Sequence, residues 1–179
     1  MATLRWAALH CSRAQFAFKL DFDCYIRLRP FLLILDMLPP PPTTENTIFG
    51  MPPMNQSVIH EQPSKWFIHP LYFPYETYLF YNGGPYLMPV SKLAALYRAV
   101  VAAPNTGKLM SLPSLPFDDA YVTGVLAEKA KVGRSILPGL QMLSAEVKRN
   151  RSEMDRVVVA YEELEDSDLR WWWDVYGEN

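Results

Sequence analysis

The sequence predicts an α/β domain, and three observations carry that prediction. Segments with helical and with strand periodicity alternate along the chain. Half of the 179 residues are hydrophobic and 13% are aromatic, enough to bury one sizeable core. A strand-like run ends in Asp21-Phe22-Asp23, and the period-2 geometry of a strand puts both acids on one face with Phe22 on the other.

Taken in order, Thr3–Cys11 has apolar residues at helical spacing and reads as a short helix feeding the first strand. Within Gln15–Arg27, Phe16, Phe18 and Leu20 alternate with Ala17 and Lys19, which predicts a buried strand. Leu28–Leu38 is a second helix. Pro30 is tolerated in its first turn, and the Pro39–Pro42 run stops it and demands an extended connection. Ile48-Phe49-Gly50 reads as a short strand and Met51–Ser64 as a polar, proline-punctuated loop. From Lys65 the chain becomes densely aromatic, with Trp66, Phe67, Tyr72, Phe73, Tyr75, Tyr78, Phe80, Tyr81 and Tyr86 around a Gly83-Gly84 turn. Ser91–Ala103 is an amphipathic helix with Ser91 as its N-cap. Asp118–Ala130 is another. Val157–Tyr161 is a last strand, and Ser167–Tyr176 a short helix capped by Ser167 and anchored by Trp171–Trp173.

Charge narrows the function. Seventeen basic against nineteen acidic residues leave a net charge of -2 with no long basic run, so the footprint of a nucleic-acid binder is absent. No stretch is apolar for the length a bilayer crossing needs, and Met1 is not followed by a signal pattern, so nothing in the chain directs it into the secretory pathway. Two glycosylation sequons, at Asn55 and Asn150, matter only in that pathway. Cys11 and Cys24 neither require nor exclude a disulfide.

Each candidate site has two readings on residues alone. Asp21 and Asp23 are either two solvated acids or a pair whose repulsion a hard divalent cation offsets. The aromatic stretch is either core packing or a set of exposed rings that stack on sugars. Asp118 and Asp119 suit the positive end of a helix dipole. His10, His60 and His69 are scattered and read as surface or hydrogen-bonded residues, with His69 able to face the aromatic segment.

The series of motifs resembles the beta-1,3-galactosyltransferase family, which includes the beta-1,3-N-acetylglucosaminyltransferases and Fringe-like enzymes. The residues that carry the likeness are Lys19-Leu20-Asp21-Phe22-Asp23, Lys65-Trp66, Phe73-Pro74, Tyr78–Tyr81, Gly83–Tyr86 and Asp118-Asp119-Ala120-Tyr121-Val122-Thr123-Gly124. They lie in the family's order over about Thr3 to Tyr176, and correspond to the C-terminal two thirds of its catalytic domain. The resemblance implies a GT-A-type mixed sheet flanked by helices. It also implies one partial catalytic domain over 1–179, without the N-terminal nucleotide-binding portion and the membrane anchor. This sequence departs from the pattern at Phe22, where the family has a middle acid, and at Leu79 and Phe80, where it has prolines. Pro85 replaces a turn glycine and Tyr161 a metal-binding histidine, and Asn82 stands where many relatives have a cysteine that would pair with Cys11.

By that likeness the protein is an inverting hexosyltransferase that moves galactose or N-acetylglucosamine from a UDP-sugar to a glycan hydroxyl in beta-1,3 linkage. Asp21 and Asp23 hold Mn2+, with Lys19, Asp21, Gly83 and Gly84 at the donor. Asp119 is the catalytic base, and Trp66, Tyr78, Tyr81, Tyr86 and Asp118 shape the acceptor cleft. The implied setting is protein glycosylation on the lumenal side of the Golgi membrane. Two other readings remain: a catalytically impaired relative that binds glycan or pairs with an active transferase, and an unrelated intracellular interaction domain.

Overall fold

The computed structural model describes residues 2–71, 73–78, 81–101, 117–142, 152, 155–161 and 165–177. Its elements are α1 (Ala2–His10), β1 (Phe16–Lys19), β2 (Tyr25–Ile26), α2 (Leu28–Asp36), β3 (Thr47–Gly50), β4 (Tyr86–Pro89) and α3 (Val90–Val101). A wide π-helical segment, Ala120–Leu126, then runs into α4 (Ala127–Ala130), followed by β5 (Gly133–Ile136), β6 (Leu140–Met142), β7 (Val159–Tyr161) and α5 (Asp166–Tyr176).

The main sheet has the order β1-β4-β3-β5. Its first two pairings are antiparallel, and β3 pairs β5 in parallel, so the sheet is mixed, as expected. Strands β3 and β4 are central and buried along their whole length. Successive side chains in a strand point to opposite faces, so each central strand feeds two cores. Ile48, Tyr86 and Met88 face α1, α3 and the π-helical segment, with Leu93, Leu96 and Leu126 in the same cluster. Phe49 and Leu87 face the other way, onto Phe31 and Ile34 of α2, with Leu137 and Val159. A second, three-stranded sheet, β2-β7-β6, closes that side, and α5 packs Trp172 against Val157 below it.

Several elements depart from what the sequence predicts. The first strand is half-buried rather than buried, because β1 is the edge of its sheet. Its ladder ends at Lys19 opposite Tyr86, where β4 begins, so Asp21-Phe22-Asp23 lies in a turn and not in the strand. Helix α3 starts at Val90, whose N–H is held by the Gln15 carbonyl, so Ser91 lies inside the helix and does not cap it. The predicted end of that helix at residues 102–103 lies outside the described residues. The cap of α5 is Glu165, in extended conformation, which forms a capping box with Asp168 in place of the expected Ser167 cap. Strands β5 and β6 are additional to the elements the sequence predicts.

The π-helical segment leaves carbonyls poorly matched to a regular ladder, and Arg134 on β5 answers them. Its guanidinium donates to the Thr123 carbonyl and, at 2.8 Å, to that of Gly124.

Candidate functional site

A cleft of about 510 Å³ opens between the Asp21–Cys24 turn, the Gly83-Gly84 turn, the helix start at Asp118, and the segment from Met51 to Trp66. That size suits a small-molecule site. The loop on its far wall is irregular but well tied. Met54 and Tyr81 exchange backbone bonds of 2.9 and 3.0 Å, Tyr78 N–H reaches the Gln56 carbonyl at 2.9 Å, and Val58 N–H reaches that of Glu76 at 2.8 Å.

The acids of the turn come together, though not by strand alternation. Cys24 N–H donates to the Asp21 carbonyl at 3.3 Å and folds the chain back on itself. Oxygens of Asp21 and Asp23 and the Cys24 sulfur then lie within 4.8 Å of one another. Phe22, at the tip, is 97% exposed beside the cleft rather than buried beneath it. Burial pushes the Cys24 thiol up to about 11. Both cysteines are free.

Lys19 links this turn to the opposite wall. Its ammonium contacts the two Asp21 oxygens at 2.7 and 2.8 Å and Asp118 at 3.2 Å. Burial works to lower its pKa, but the Asp21 and Asp118 carboxylates outweigh it and hold the pKa above the ordinary lysine value. Asp118 also accepts the Tyr86 hydroxyl at 3.0 Å.

Asp119 is fixed at both oxygens: Oδ1 accepts Ala120 N–H at 2.7 Å and Oδ2 accepts Gly84 N–H at 3.2 Å. Burial raises its pKa, while those two N–H groups pull it back down. Gly84 supplies the positive φ of the turn, at 65°, so Pro85 occupies a position where none is needed. Burial, with Asp119 nearby, raises the Tyr78 and Tyr81 hydroxyls, keeping both rings neutral.

The structure thus gathers most of the predicted site. Lys19, Asp21, Asp23, Gly83 and Gly84 line the cleft on one side. Trp66, Tyr78, Tyr81, Asp118 and Asp119 line the rest of it. Tyr86 does not: it is buried behind the wall, where it holds Asp118. Among the lining aromatics, Tyr78 and Tyr81 are nearly buried, whereas Trp66 is 45% exposed, packs its ring against Phe117 at 5.1 Å and has Lys65 over its face at 4.8 Å. His69 is exposed, accepts Leu71 N–H and takes no part. Asn55 is exposed outside the cleft, and Asn150 lies outside the described residues. Of Tyr161, only the backbone position, at the end of β7, is described.

Sequence reasoning missed three contributors. Cys24 joins the turn, with only its place beside the second acid as a signal. Asn82, fully buried, donates to the Met51 and Ser135 carbonyls, and its N–H reaches Thr123 Oγ1 at 2.9 Å. Thr123 Oγ1 lies 2.7 Å from the Asp119 carbonyl, so this pair ties the glycine turn to the helix start.

The donor set of the turn, two carboxylates and a thiol, fits a divalent cation, with Lys19 competing for one carboxylate. A family model described as galactosyltransferase matches residues 1–138. No curated protein matches the sequence.

Proposed function

The chain belongs to the galactosyltransferase family, a family of glycosyltransferases, and from that premise we propose that its cleft transfers galactose or N-acetylglucosamine from a UDP-sugar to a glycan hydroxyl. The single observation that carries this reading is that Asp119 and the Asp21–Asp23 turn face one cleft, with Lys19 between them.

The chemistry needs both ends. An acceptor hydroxyl must lose its proton as it attacks the anomeric carbon, and Asp119 is a carboxylate of fixed aim whose burial raises its basicity. Attack from the face opposite the leaving group inverts the anomeric centre and gives a beta linkage, with the 1,3 position set by the acceptor's seat. That seat is formed by Trp66, Tyr78 and Tyr81, with Asp118 at its edge and Tyr86 holding Asp118 from behind. Asp21 and Asp23 would hold Mn2+, which offsets the charge developing on the UDP leaving group. Lys19 adds its own positive charge at the same place.

A second reading, glycan binding without transfer, is supported by the Lys19–Asp21 pair, which neutralises one of the two acids. Calorimetric titration of UDP with and without Mn2+ separates the two. Under the transferase reading UDP binds only with the ion and the Asp23→Ala variant loses it. A folded protein that binds glycan but not UDP supports the second.

We further place the protein on the lumenal side of the Golgi membrane. No helix among the described residues is long and apolar enough to cross a membrane. The exposed Asn55 sequon tests the setting, since a glycan there, lost in Asn55→Gln, requires passage through the secretory pathway.

A further inference from the structure

We propose that Thr123 is a positioning residue for the proposed base: its hydroxyl sets the gap between the glycine turn and the helix start, and so keeps the Gly84 N–H on Asp119 Oδ2. This rests on the reading of Asp119 as the base. Thr123 follows Asp119 by four residues, and its Oγ1 lies 2.7 Å from the Asp119 carbonyl. The same oxygen accepts the Asn82 N–H at 2.9 Å and lies 2.9 Å from the Asn82 carbonyl. One hydroxyl thus grips the main chain on both sides of the carboxylate. Gly84, two residues past Asn82, delivers its N–H to Asp119 Oδ2 at 3.2 Å.

Burial makes this grip firm. Thr123 and Asn82 are both fully buried, so no bulk water competes for the hydroxyl. Thr123 is held from behind, where Arg134 donates to its carbonyl and, at 2.8 Å, to that of Gly124. The Asn82 side chain ties the turn to the Met51 and Ser135 carbonyls, while its backbone ties it to the helix through Thr123. Without the hydroxyl the buried Asn82 N–H loses its partner, and the turn shifts to find another. The Gly84 and Ala120 N–H groups favour the charged carboxylate, against burial, which favours the protonated form. Releasing Gly84 therefore leaves a carboxylate that is less well aimed and keeps its proton to higher pH. The charged and titratable groups around Asp119 are Asp118 and Lys19, with the Tyr78, Tyr81 and Tyr86 hydroxyls, and a change at Thr123 leaves each of them in the chain.

The test is an NMR titration of the aspartate carboxyl groups in the full chain, with the Asp119 signal identified by its loss in Asp119→Asn. In Thr123→Val, which keeps the shape and removes the hydroxyl, the Asp119 midpoint should move to higher pH, and Thr123→Ser should restore it. With UDP-galactose and Mn2+, kcat for UDP release should fall at least about tenfold in Thr123→Val with KM unchanged, and recover in Thr123→Ser. Circular dichroism confirms folding, and Thr123→Ala takes the place of Thr123→Val where a methyl against the two carbonyls prevents it. A folded variant that loses thermal stability but keeps both the Asp119 midpoint and kcat overturns the positioning role and makes Thr123 a structural tie. A loss of kcat that Thr123→Ser does not restore overturns it as well. If the unaltered chain releases no UDP, the transferase reading falls, and the Asp119 midpoint alone decides whether the hydroxyl holds the carboxylate.

Discussion

Asp119 already accepts two backbone N–H bonds, so its carboxylate cannot rotate freely, and one face of it remains turned to the cleft. Asp119→Asn keeps the size of the side chain and removes the base, and its amide oxygen can still accept one of the two N–H bonds. Turnover should fall by at least about 100-fold while UDP binding with the cation is retained, measured by UDP release and by calorimetry. Loss of both activities together would make Asp119 a structural anchor of the Gly84 turn instead. Tyr86→Phe should cost about 1 kcal/mol of stability, from the bond to Asp118, as read by urea unfolding. His60 carries a different signal. Both ring nitrogens face carbonyl oxygens, Ile68 at 2.7 Å and Tyr75 at 3.1 Å, and neither carbonyl can donate. The imidazolium satisfies both, and with Glu76 nearby these bonds raise its pKa above the ordinary 6.5 despite the opposing effect of burial. A raised folded pKa stabilises the loop fully below the unfolded value, and this is lost as pH rises through the folded one. Proteolysis between Ile59 and Tyr75 should therefore quicken as pH rises past the folded pKa, with no such step in His60→Gln. The residue types at the site were legible because their spacing matched the family's motifs. Which rings were walls and which were core was not, because burial of Tyr86 depends on the β1–β4 register rather than on its neighbours in sequence.

At the level of elements, the helices were legible and the short strands were not. Leu93 and Leu96 in α3, and Phe31 and Ile34 in α2, recur at helical spacing and are the residues that end up buried. Strand β5, Gly133–Ile136, shows no alternation, since a half-buried Arg134 and Ser135 stand between two exposed residues; it exists because β3 offers it a parallel ladder. Strand β6 depends on a single turn residue. Gly139 sits at φ 74°, where an added Cβ would lie 2.7 Å from a Val158 methyl. Its carbonyl accepts N–H bonds from both Val158 and Val159, at 2.9 and 3.0 Å. Gly139→Ala should then destabilise by about 1–3 kcal/mol, seen as a lower thermal midpoint. A midpoint within a degree of the parent would show that the β5–β6 turn relaxes at no cost.

For the molecule as a whole, the end of the family match is not the end of the fold. The match stops at residue 138, yet Val159 is fully buried in the same cluster as Phe31, Phe49, Leu87 and Leu137. Strand β2, early in the chain, has its ladder partner in β7, and the Arg27 guanidinium donates to the Asp155 carbonyl at 3.0 Å. The segment after 138 therefore covers one face of the main sheet and braces the Asp21–Cys24 turn, which leads directly into β2. Exposing that face would leave a broad apolar surface in water, at roughly 25 cal/mol per Å² of newly exposed apolar area. A chain ending at residue 138 should lose cooperative unfolding and bind hydrophobic dyes, and cation binding at the turn should weaken with it. If the shortened chain instead unfolds in one sharp transition and binds the ion as the full chain does, β2 and its turn are held by the main sheet alone. The β6–β7–α5 segment would then be an appendage to the site rather than its support.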